Sequence, residues 1–153
     1  MSDIATHYLV SRIPTSRVSK PLQMAILLGT ILPDILSHGL DLILESPRYF
    51  VVPSHTILGT LLYCYLASFL FEEKIRDRAW GMLWIGALLH ILVDLSKDSM
   101  GAGSLAIFAP FSMKRYSFDL YEPLFWIWTV PVAFGLFLLW EFLIQKRGNR
   151  VWE

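Results

Sequence analysis

Four apolar stretches, at residues 22–44, 56–71, 79–95 and 124–144, divide this chain, with charged connectors between them. An α-helix rises about 1.5 Å per residue, so roughly 20 apolar residues cross the ~30 Å hydrocarbon core of a bilayer. By that measure the fourth stretch, whose only charge is Glu141 near its end, spans a membrane. The second and third come close to the required length. The first is interrupted by Pro33, Asp34, His38 and Asp41. Its uncharged part, residues 21–33, covers only about 20 Å, so the break at Pro33 points to a shorter helix packed within the bundle. The expected fold is therefore all-α: an integral membrane helical bundle with three to four transmembrane or membrane-embedded helices, in one domain over residues 1–153.

Composition supports the same reading. Hydrophobic residues make up 55% of the 153 positions and charged ones 17%, where an ordinary soluble domain has about 25% charged. Mean hydropathy is +0.51. A soluble chain of this size has too little interior for so much apolar surface, and the surplus faces lipid. The formal net charge is zero, so no basic surface marks a nucleic-acid partner. Cys64, inside an apolar run, reads as a packing residue. The N-terminal residues lack the apolar core and cleavage site of a secretory signal, which leaves insertion to the internal stretches. If all four stretches cross, the 13 Lys and Arg divide nine to four toward the side of both termini, a modest bias that favours the termini inside.

The polar residues within the grease carry the chemistry. Asp34 with His38, and His90 with Asp94, stand four apart and share a helix face. His55 opens the second stretch behind Ser54, which reads as its N-cap. Gly86, one turn before His90, lets another helix approach closely, and Thr30 reads as bonding its own helix backbone. A charged group near the bilayer centre costs roughly 2.5–3.5 kcal/mol on insertion scales, so such groups face the bundle interior and pair. Imidazoles and carboxylates from separate helices can all be satisfied by one divalent cation, with zinc, iron and manganese all suited to these donors. Zinc with an open coordination position lowers the pKa of its water to about 7, which supplies a hydrolytic nucleophile. The competing reading makes each histidine a hydrogen-bonded core residue. It makes Asp41, Asp98 and Glu141 interfacial or loop charges, and Lys114 and Arg115 a solvated or headgroup-facing cluster.

One order of motifs goes further. A histidine near the N-terminus is followed by "LPD", by "SHT", by "GALLHILVDL" and by the aromatic loop "FAPFSMKRYSF". Over residues 6–117 this resembles the membrane-bound, metal-dependent hydrolase family of YdjM type, whose members are described as inner-membrane-associated hydrolases. The family in turn resembles zinc-dependent phospholipase C in its ligand order of His, Asp, His and His-x-x-x-Asp. Carried onto this chain, that order falls on His7, Asp34, His55, His90 and Asp94. The resemblance implies a multi-pass protein of the inner (plasma) membrane that hydrolyses a phosphoester or ester of a lipid, with one or two divalent ions, zinc first. With no histidine after His90, a three-metal cluster is excluded.

The expected mechanism follows. His55, His90 and Asp94 hold the metal, with His7 and Asp34 as further ligands or half of a second metal site. Asp34 or Asp98 acts as general base. Lys114, Arg115 and His38 bind substrate, the two basic residues steadying an anionic headgroup. Expected partners are membrane lipid and the lipid or phosphoester substrate. Two rivals stand beside this. One is a non-enzymatic binding or scaffold protein with a structural metal or a polar helix-packing cluster. The other is a small transporter with a carboxylate proton relay, which the lack of duplicated halves disfavours. A geometric conflict also arises: with four full crossings, His7 falls on the opposite side from His55 and Asp94.

Overall fold

The computed structural model describes residues 4–12, 18–43, 53–96, 104–120 and 126–146, the side chains of 4, 5, 38, 40–43, 126, 127, 129 and 144–146 excepted. Five α-helices account for most of them: α1 Ile4–Arg12, α2 Lys20–Ile43, α3 Ile57–Ser68, α4 Arg76–Leu95 and α5 Trp126–Lys146. A 3-10 turn, Glu73–Ile75, leads straight into α4. Among the described residues there is no strand, and an isolated antiparallel bridge joins Leu105 to Tyr116.

Four of these helices match the four apolar stretches, and α1 lies outside them. The break expected at Pro33 does not occur. Proline removes one backbone donor and leaves the carbonyl of Gly29 without its helical partner, yet α2 continues through it for 24 residues. Pro33 is buried in a helix that packs against α1 and α4, a setting in which membrane-type helices tolerate proline.

The framework is a parallel pair, α2 against α4, with α3 between them in sequence. Leu22 and Ala25 of α2 join Ala79, Leu83 and Ala87 of α4 and Cys64 of α3 in one buried core. Further along, Gly29 meets the backbone of Leu83, and Gly86 meets the backbone of Ile26 and Thr30. A Cβ on Gly29 would lie 2.7 Å from the Leu83 carbonyl carbon, and one on Gly86 would lie 2.9 Å from the Thr30 nitrogen. Neither distance is tolerable, so both positions must lack a side chain. Small residues that allow backbones to touch are the usual device for joining helices in lipid, where apolar side chains gain little by meeting each other. Thr30 donates to the Ile26 carbonyl at 2.9 Å, as expected.

Among the described residues one helix, Glu73–Leu95, is long and apolar enough to cross a membrane. The apolar helices Ile57–Ser68 and Val130–Leu143 are shorter. The third stretch, extended at its start by the 3-10 turn, meets that length. Outward rows of large apolar side chains, Leu58, Leu62 and Leu66 on α3 and Val132, Leu136 and Leu139 on α5, are exposed. Apolar surface of this extent marks contact with lipid or a partner rather than with water.

The loop at residues 104–120 straps one end of this framework. The Ile57 N–H donates to the Ile107 carbonyl at 2.9 Å, the Phe118 N–H to the Leu95 carbonyl at 2.7 Å, and the Leu120 N–H to the Ser96 carbonyl at 3.0 Å. The start of α3 and the end of α4 are thereby tied together, and the polar residues of interest lie at that end.

Candidate metal centre

His55 is positioned by the turn that opens α3. Thr56, not Ser54, is the N-cap: its Oγ1 accepts the Gly59 N–H at 2.9 Å. Ser54 Oγ instead lies 2.9 Å from Nδ1 of His55, and the Tyr63 hydroxyl donates to the Ser54 carbonyl at 2.9 Å. With Nδ1 held in this way, Nε2 is the ring atom presented to the interior. A metal-ligating imidazole is normally oriented by such a hydrogen bond at its other nitrogen. Losing an N-cap typically costs about 1 kcal/mol, so Thr56→Ala is expected to lower stability by about that amount. A fall in melting temperature accompanied by weaker metal retention checks it. An unchanged melting temperature would contradict the cap.

His90 and Asp94 come from α4, one turn apart, and are buried at 1% and 7% exposure. Asp34 arrives from α2. Nε2 of His90 is 3.4 Å from Nε2 of His55, 3.6 Å from Oδ1 of Asp34 and 3.2 Å from Oδ2 of Asp94. Nε2 of His55 is 3.8 Å from Oδ1 of Asp34 and 3.6 Å from Oδ2 of Asp94. Four donors at 2.0–2.2 Å from one ion in tetrahedral geometry are separated by about 3.4 Å along each edge. Five of the six edges here run from 3.2 to 3.8 Å. Each of the four residues offers one donor atom, and these atoms all lie within 4.8 Å of one another. Most of the separations exceed the 2.7–3.2 Å of a good N–H···O bond. The atoms converge on a point instead of pairing off.

Charge supports the same conclusion. Two carboxylates and two neutral imidazoles carry a formal charge of −2, which is expensive to bury uncompensated. A divalent cation balances it. Asp34, His55, His90 and Asp94 can therefore hold a metal ion.

His7 is not one of the four converging donors but lies beside them. Its Nε2 lies 3.5 Å from Oδ1 of Asp94, and its ring stacks on His90 with centroids 4.2 Å apart and planes 16° apart. Asp94 thus presents one oxygen to His55 and His90 and the other to His7. His7 lies directly behind the four converging donors. The conflict between His7 and the far-side residues dissolves because α1 packs against α2, α4 and α5, which brings His7 to His90 while α2 remains continuous.

Two further expected site residues, Lys114 and Arg115, are not among the four converging donors. Lys114 and Arg115 lie on the exposed strap, Lys114 Nζ 5.6 Å from the centre of the Tyr116 ring and Arg115 donating to Ser104 Oγ at 3.4 Å. Asp98 and the side chain of His38 fall outside the described residues. Sequence reasoning missed Thr56 and Tyr63 as supports of His55, and it missed Gly29. Of the Gly29 to Gly86 contact, the sequence pointed only to Gly86, which stands one turn before His90.

Fold and site together define a helical bundle with a buried two-histidine, two-carboxylate centre able to hold a divalent ion. The chain belongs to the YdjM inner membrane protein family, whose family model matches residues 3–153. The match takes in α5, beyond the motifs of residues 6–117, and it places the protein in a membrane. No curated protein and no solved structure matches the chain.

Proposed function

We propose that this protein is a multi-pass, membrane-bound, metal-dependent hydrolase that cleaves a phosphoester or ester bond of a lipid or other membrane-proximal substrate, with zinc as its ion. In this reading the second and fourth apolar stretches cross beside the helix of residues 73–95. The observation that carries the proposal is the set of donor separations of 3.2–3.8 Å around one point in the bundle. The ligand order, like that of zinc-dependent phospholipase C, supports it.

A divalent ion held by Asp34, His55, His90 and Asp94 would supply Lewis acidity and would lower the pKa of water toward neutrality. The remaining work falls to side chains. His90 and Asp94 share one rigid helix, so their relative placement is fixed by the backbone. His55 is aimed by Ser54. His7 steadies the outer oxygen of Asp94. Asp34 has the most open side chain of the four, at 21% against 1–10% for the others. Its carboxylate is the one placed to accept a proton from attacking water as general base. Lys114 and Arg115, on the exposed strap, hold an anionic headgroup. Exposed ion pairs contribute up to about 1 kcal/mol each, about fivefold in affinity. Lys114→Ala and Arg115→Ala are thus expected to raise KM for anionic substrates by up to about that factor while kcat changes little.

Four donors also suit a closed structural site, the arrangement that a scaffold protein would use. Elemental analysis of the purified protein, followed by assays on phospholipids and generic phosphoesters, separates the two. The hydrolase reading expects bound zinc and turnover that a chelator removes and zinc restores. Stoichiometric metal with no turnover on any ester would establish the structural role instead.

A further inference from the structure

Three of the four converging donors stand on helices, Asp34 on α2 and His90 and Asp94 on α4, and their places follow from how those helices pack. His55 does not. It lies in the turn ahead of α3, two residues before Ile57. A turn has no ladder of helical hydrogen bonds to fix its backbone, so the aim of His55 depends on what braces the turn. The two histidine rings also differ. Nδ1 of His90 has no hydrogen-bond partner among the described residues, and that ring is held by its helix and by the stack on His7. Nδ1 of His55 lies 2.9 Å from Ser54 Oγ. For Nε2 to bind a metal, the proton of the neutral ring must be on Nδ1, and Ser54 Oγ is there to accept it. The place of Ser54 therefore sets how the His55 ring turns.

Ser54 in its turn is held from α3. Long side chains on a helix lean toward its N-terminus. Tyr63, six residues beyond Ile57, reaches back to the Ser54 carbonyl, to which its hydroxyl donates at 2.9 Å. The Tyr63 ring packs against the core that contains Leu22, Cys64 and Leu83, so the hydroxyl is anchored to the bundle. The neighbouring Pro53 carbonyl accepts Thr56 Oγ1 at 3.1 Å and lies against Gly59, where a side chain would collide with it. Two consecutive carbonyls of the turn are thus pinned, Pro53 by the start of α3 and Ser54 by Tyr63. We infer that Tyr63 is a positioning residue of the metal centre: through the backbone of Ser54 it fixes the hydroxyl that aims Nε2 of His55 at the other three donors. This rests on the four residues holding a metal and not on what the centre hydrolyses.

The test uses the full protein in detergent, stripped of metal and titrated with zinc against a chelator of known affinity. Outer partners of metal ligands are typically worth about 10–100-fold in affinity. Tyr63→Phe removes one oxygen and keeps the packed ring, and it is expected to weaken zinc binding about tenfold, the lower end of that range. Ser54→Ala is expected to cost at least as much. The double variant should lose far less than the product of the two, because both act along one route. In a His55→Ala background, with three donors left, Tyr63→Phe should weaken zinc binding no further. A general loosening of the bundle would not spare that background. Unchanged zinc affinity in Tyr63→Phe overturns the inference, and so does an equal loss with and without His55. A native protein that binds no zinc overturns the metal centre and this inference together. A native protein that binds zinc and hydrolyses nothing sinks the hydrolase reading and leaves the role of Tyr63 to be decided by the same titrations.

Discussion

The His90→Ala protein is expected to leave purification without metal and to hydrolyse nothing above background. His90 lies at the middle of the donor set, with the other three donors 3.2–3.6 Å from its Nε2. It is also the residue on which His7 stacks. Losing an outer partner of a ligand usually lowers metal affinity by roughly 10–100-fold, and losing a donor from the centre of the set exceeds that. What remains is one imidazole from α3 and two carboxylates from α2 and α4, a buried negative pair with less to balance it. A ligand at about 1,000 times its Kd stabilises the folded state by about 4 kcal/mol. Added zinc is therefore expected to raise the melting temperature of the native protein and to leave that of His90→Ala unmoved. This comparison separates loss of the centre from simple damage to the core, because each protein serves as its own metal-free reference. Stoichiometric zinc retained by His90→Ala would show that the donors are other residues.

Much of the centre was legible because polar residues in apolar helices are costly and therefore conspicuous. His90 and Asp94 share a face by spacing alone, and His55 and Asp34 stand out against their neighbours. His7 was different. It lies in a nine-residue helix, Ile4–Arg12, too short and too mixed to announce itself, and only the family's motif order pointed to it. Its role behind Asp94 depends on how α1 packs, which no local pattern encodes. Ser54 and Thr56 both satisfy the chemistry of an N-cap, and the contact of Ser54 with His55 decided between them. The break expected at Pro33 did not form, and α2 runs on through it while packed against α1 and α4. The strap that carries Lys114 and Arg115 is tied to the ends of α3 and α4 by three backbone hydrogen bonds, and backbone pairing across such separations leaves no trace in composition.

Gly86→Ala and Gly29→Ala should each destabilise the protein and weaken its metal binding together. At both positions an added Cβ meets backbone, that of Ile26 and Thr30 for Gly86 and that of Leu83 for Gly29. Backbone has no rotamer to yield, so α2 and α4 must move apart. Overpacking of this kind costs typically about 1–3 kcal/mol and occasionally more. The same displacement moves Asp34, carried by α2, away from His90 on α4, whereas a metal site tolerates deviations of only about 0.2 Å in its ligand distances. Gly81 supplies the control. It lies on α4 five residues before Gly86, and a Cβ there meets nothing within 4 Å. Since alanine is about 1 kcal/mol better than glycine inside a helix, Gly81→Ala should be neutral or stabilising and keep its metal. Melting temperature and zinc content of the three variants test this. If Gly86→Ala melts and binds zinc like Gly81→Ala, the two helices do not touch at that point, and the register that sets Asp34 opposite His90 is wrong.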